Sequence, residues 1–154
     1  MHGLVLGQFP QITVLDLNGK SLPFPMNERQ IVFVCSSITG QSKLKSWQHA
    51  LQKSAPHIKN TPIRGIAIIP KWMSGIIAQP IALLYLRTHL PNEVHSSVYA
   101  YFATAEEVGT LFDLPKNTDE DLHLFYLSTR GQILMYTYGS PSGQKLNLMY
   151  SFCQ

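Results

Sequence analysis

Charge is scarce in this sequence. Asp, Glu, Lys and Arg make up 14% of 154 residues, against ~25% in a typical soluble domain. Much of the surface must be neutral, which suits a protein covered by a partner. Cysteine is scarcer still. Cys35 and Cys153, 118 positions apart, are the two thiols; they form no C-x-x-C pair and no zinc spacing, and are too few for a disulfide scaffold. Long hydrophobic runs are missing as well. The longest, Ile76 to Leu86, is interrupted by Gln79 and Pro80 and falls short of the ~20 residues that span a bilayer, so no membrane span is expected. The opening residues lack the basic region and long apolar run of a signal peptide. The expected location is cytoplasmic if Met1 is the native start, and periplasmic or organellar if a leader has been removed.

What is present suits a globule with a real core. Apolar residues reach 45%, mean hydropathy is zero, and seven Tyr, seven Phe and two Trp supply bulk. This length predicts one domain spanning residues 1–154, and no repeat, low-complexity stretch or linker divides it. A net charge of +3 is too small to imply nucleic-acid binding. Its distribution is uneven: residues 1–77 hold eight Lys/Arg and two Asp/Glu (+6), residues 78–154 four and seven (−3).

Along the chain, Ile12 to Leu17 alternates apolar and polar residues and meets Asn18-Gly19, a hairpin signal. Ile31 to Cys35 is a continuous apolar run, as in a strand buried on both faces. Hydroxyls suited to capping follow, then a helix from about Gln41 to Ala55 with Leu44, Trp47 and Leu51 on one face, stopped by Pro56. Further strands are expected at Ile63–Ile69, Val98–Phe102, Leu122–Leu127 and 132–138. Helices are expected at Ser74–Leu90, kinked or started near Pro80, at Ala105–Leu111 and over 145–152. A polar, acidic loop is expected from Lys116 to Asp121. Alternating strands and helices predict an α/β domain: a mostly parallel central sheet with helices on both faces and an antiparallel hairpin closing one edge.

Three motifs then line up. Gly7-Gln8-Phe9-Pro10 leads into Leu15-Asp16-Leu17-Asn18-Gly19-Lys20, a strand at Ile31–Val34 follows, and Phe125-Tyr126-Leu127-Ser128-Thr129-Arg130-Gly131-Gln132-Ile133 forms a late hairpin. In this order and spacing the chain resembles the thioredoxin-like superfamily, in its peroxiredoxin-like redoxin branch, over roughly residues 7–150. The resemblance implies a thiolate at the start of the first helix, where unpaired N–H groups and the helix dipole lower its pKa. It places Thr39-Gly40-Gln41-Ser42 where redox members carry C-x-x-C, the peroxidase-type nucleophile falling at Ser42. Neither Thr39 nor Ser42 forms a disulfide. The family's cis-proline position falls on Leu122, so both hallmarks are gone and no cofactor is implied. Ser46-Trp47, and Tyr126-Leu127 with Ile133 and Gly139, further resemble the redoxin-like assembly factors of the mitochondrial ATP synthase. Leu134-Met135 departs from that group's Arg-Trp.

The remaining candidates are read on their own chemistry. Cys35, ending a buried strand, reads as an inert core thiol, with a displaced thiol nucleophile as the alternative. Ser36, Ser37, Thr39 and Ser42 lack a neighbouring base and read as helix caps. The six histidines show no metal spacing, and His123, between Leu122 and Leu124, points to one sheet face. Glu106-Glu107 and Asp119-Glu120-Asp121 read as caps or solvated faces. Lys45, His49 and Lys53, at i, i+4 and i+8, form a basic stripe opposite Leu44, Trp47 and Leu51. It is either a plain solvated face or a dock for an acidic partner; no nucleic-acid motif accompanies it. Trp72, Ile76 and Ile77 are the candidates for an apolar partner surface. The functional expectation is a redox-inactive binding, assembly or chaperone-like module for a protein partner; the alternative is a divergent thiol oxidoreductase or peroxidase using Cys35.

Overall fold

A computed structural model describes residues 7–36, 40–53, 61–114 and 122–153. The first hairpin forms as its alternation requires: β1 (Ile12–Asp16) and β2 (Ser21–Phe24) pair antiparallel, Ile12 opposite Phe24. The Asp16 carboxylate accepts from the N–H groups of Asn18 and Lys20, both at 2.9 Å. Gly19 takes a φ of 90° between them, a region that glycine enters without strain.

The continuous apolar run becomes β3 (Gln30–Cys35), and burial of both its faces puts it in mid-sheet. β4 (Ile63–Ile69) and β5 (Val98–Phe102) continue parallel to it, while β6 (Leu122–Leu127) and β7 (Ile133–Tyr138) form the late hairpin. The seven strands run β2-β1-β5-β4-β3-β6-β7. The parallel part is thus the centre, β5-β4-β3, and antiparallel hairpins close both edges rather than one. The N-terminal hairpin reaches the far edge through a short contact with β5, Leu15 opposite Ala100.

Register decides what each face meets. Ile31, Phe33 and Cys35 point with Leu122, Leu124 and Tyr126 to one side, where α1 (Gly40–Lys53) and α4 (Gly143–Cys153) bring Trp47, Leu51 and Met149. On the same side α2 (Ala78–His89) buries Ala82, Leu83 and Leu86 against Ile69, Val98 and Ala100. Val32, Val34, Ile66 and Phe125 point the other way, onto Phe9 and α3 (Ala105–Leu111).

Helix α2 is shorter than the pattern suggested. A 3₁₀ turn over Lys71–Ser74 precedes it, and Pro80 lies in its first turn, where a missing N–H removes no helical bond. A second 3₁₀ segment, Asn92–Ser97, has no counterpart among the expected elements. The expected helix end at Pro56 and the loop over Lys116–Asp121 lie outside the described residues.

Candidate functional site

The parallel strands end together, and a groove of about 990 Å³ opens beyond them. Ser36 after β3, Pro70 after β4, Ala103 and Thr104 after β5, Trp72 and His123 are among the residues that line it. Outside the carboxyl ends of parallel strands is where open α/β sheets present ligand sites.

Four sequence-predicted positions bear on chemistry here. Ser42 is the third residue of α1, in the first turn as expected; Thr39 lies outside the described residues. Leu122 stands opposite Cys35 across the β3–β6 pair and is wholly buried beneath α1, beside Trp47. It therefore fills core where the resemblance would place a residue facing the site. Cys35, the last residue of β3, is half-buried on that same side.

His123 pairs in register with Val34, one step along, and so faces away from Cys35 through the sheet. A cysteine nucleophile is activated by a base within hydrogen-bond reach or by surroundings that lower its pKa. The alternation of the pleat puts this histidine on the wrong side for Cys35. His123 is instead held: 2% exposed, its Nδ1 lies 2.7 Å from the Tyr136 hydroxyl, with the two rings stacked. Among the described residues, no three His, Cys, Asp or Glu side chains group to hold a metal ion.

Two arrangements were missed in the sequence. Trp47 is fully buried, and its indole N–H donates to the Gly139 carbonyl at 2.8 Å, while the Gly139 N–H donates to the Leu122 carbonyl at 3.0 Å. Helix α1, the start of β6 and the end of β7 are thereby tied at one point. Gln30, also fully buried, donates to the carbonyls of Met26 and Glu28 and accepts from Arg64, which pairs with Glu28.

Glu107 reads as a cap, in agreement with the pattern Thr104-Ala105-Glu106-Glu107. The Thr104 hydroxyl accepts from the Glu107 N–H at 3.1 Å, and the Glu107 carboxylate accepts from the Thr104 N–H at 2.9 Å, a reciprocal capping box. The Thr104 backbone N–H, and after it the Lys71 ammonium 2.9 Å away, hold the Glu107 carboxyl below the usual carboxylate range. With the folded pKa below the unfolded value of ~4.3, its stabilisation is complete above that value and disappears as pH falls through the folded one. Thr104→Ala is expected to cost ~1 kcal/mol at neutral pH. In thermal melts across pH, the gap between wild type and Glu107→Gln should narrow on the acid side; a gap constant with pH would contradict the box.

The basic stripe is placed as expected: Lys45, His49 and Lys53 are exposed while Trp47 and Leu51 are buried. Trp72, Ile76 and Ile77 are 78%, 96% and 82% exposed, so they do not pack into their own core.

This strand order, with helices on both faces, is a thioredoxin-like fold, and solved structures align with it along nearly the whole chain. BsSco, a member of the Sco family of cytochrome c oxidase assembly proteins, is 12% identical over 96% of this chain and 93% of its own, with a TM-score of 0.62. Copper-bound ScoI from Arabidopsis thaliana is 11% identical over 94% and 98%, at 0.58. A thiol:disulfide interchange protein of the thioredoxin family from Chlorobium tepidum is 14% identical over 96% and 95%, at 0.55. No protein-family profile and no curated protein matches. At these identities the likeness is one of fold. This chain carries no C-x-x-C pair.

Proposed function

We propose that this protein is a redox-inactive thioredoxin-like module that binds another protein, in an assembly or chaperone-like role. The observation that carries this is the site itself. The resemblance sets Thr39 and Ser42 against the thiol positions, Leu122 is sunk into the core, and Cys35 is separated from His123 by the sheet. The helix start that would activate a thiolate has none to activate. The resemblance to ATP synthase assembly factors supports the assembly reading. The bond joining Trp47 to Gly139 gives two of the quoted residues a shared structural task.

The partner meets the stripe Lys45, His49 and Lys53 with an acidic surface, while Trp72, Ile76 and Ile77 offer a separate, exposed apolar surface. Charge complementarity of this kind acts mainly on association rate and is screened by salt over ~8 Å at physiological ionic strength. Lys45→Glu with Lys53→Glu is expected to slow association with the partner captured from the native host, most at low salt. Stability should change by less than ~0.5 kcal/mol, since both sites are exposed. Unchanged association across a salt series would reduce the stripe to a solvated face.

A further inference from the structure

Helix α2 is apolar on two sides. One buries Ala82, Leu83 and Leu86; the other leaves Ile77, Ile81, Leu84 and Tyr85 in solvent at i, i+4, i+7 and i+8. Ile76 and Ile77 occupy the turn leading into the helix, and Trp72 the 3₁₀ turn before that. These six side chains present on the order of 700 Å² of solvated apolar surface, one aromatic alone carrying ~150–250 Å². The largest patch on a typical monomer is ~300–600 Å².

The charges around the patch say what covers it. Helices α1, α2 and α4 all lie on one side of the sheet, and none contains an Asp or Glu. They contain Lys43, Lys45, Lys53, Arg87 and Lys145, with His49 and His89. Among the described residues, the 3₁₀ segment Asn92–Ser97 adds one acid to this side, Glu93, next to Val94, which packs with α2. Glu106 and Glu107 belong to α3 on the opposite face, Glu107 pairing with Lys71 beside Trp72. A net basic layer with a projecting apolar turn matches an anionic, hydrocarbon-cored surface. A second copy of the chain does not match, because two-fold pairing through this layer would set basic helices against each other.

We propose that this layer lies on an anionic phospholipid bilayer, with Ile76 and Ile77 inserted among the acyl chains and Trp72 and Tyr85 at headgroup depth. No helix among the described residues is long and apolar enough to cross a membrane; the protein rests on the surface. The proposal goes beyond the protein-partner reading, taking the apolar surface for lipid and leaving the basic stripe's protein contact to its own test.

Tryptophan fluorescence tests it directly, because Trp47 is fully buried and Trp72 is 78% exposed. The whole protein is titrated with vesicles of phosphatidylcholine and phosphatidylglycerol in equal parts, and with phosphatidylcholine alone, and flotation is followed in parallel. Flotation and a blue shift with the anionic vesicles are expected, the shift vanishing in Trp72→Phe. Ile76→Ser with Ile77→Ser should weaken binding ~tenfold or more while melting like wild type. Absence of flotation, or equal binding to phosphatidylcholine alone, overturns the proposal. So does a concentration-dependent dimer that shields Trp72 without lipid. None of these results bears on the redox-inactive reading, which thiol turnover alone would sink.

Discussion

Trp47→Ala should cost ~3–5 kcal/mol, the range for removing a buried aromatic side chain. Three things are lost together. The indole is fully buried among Phe33, Leu122 and Leu124, its ring centroid 5.9 Å from that of Phe33, so a large cavity opens beneath α1. The Gly139 carbonyl loses its donor inside the protein. The junction of α1, β6 and β7 loosens where Gly139 also bonds to Leu122. Trp47→Phe separates these effects. It restores most of the apolar volume and leaves the carbonyl unpaired, for which ~1–3 kcal/mol is expected. Denaturant melts of both variants check the ordering. Equal stability of Trp47→Phe and wild type would show that the indole hydrogen bond contributes nothing.

The strands were legible because their signals are local. Ile31 to Cys35 is apolar without a break since both its faces are covered, and Asn18-Gly19 turns the first hairpin with chemistry contained within five residues. The far-edge placement of that hairpin was not legible. Pairing of Leu15 with Ala100 is a contact across 85 positions, and no local pattern encodes it. The same holds for Trp47 and Gly139, separated by 92.

Helix α2 fails for a different reason. Ala82, Leu83 and Leu86 on one side and Ile77, Ile81, Leu84 and Tyr85 on the other are equally apolar, so periodicity cannot say which side meets the sheet. Trp72, Ile76 and Ile77 are exposed, and Ile81, Leu84 and Tyr85 continue them in a stripe that no local pattern marks. His123 was seen as a residue between two leucines. The alternation that sets it on one sheet face also turns it away from Cys35, yet its Tyr136 partner required the β6–β7 register. The missing thiols were the most legible feature, because Thr39 and Ser42 follow directly from counting along the chain.

Cys35 decides the account. It is the thiol next to the family's active-site position, half-buried on the α1 side, and the sheet separates it from His123 on the other side. Insulin reduction with dithiothreitol, together with peroxide consumption, measures the consequence directly. Thr39→Cys with Ser42→Cys serves as the variant in which a helix-start pair is restored. The wild type and Cys35→Ser are expected to give the same rate as buffer, and the restored pair a rate above both. Turnover by the wild type that disappears in Cys35→Ser would contradict the account and make the protein a thiol enzyme working through Cys35.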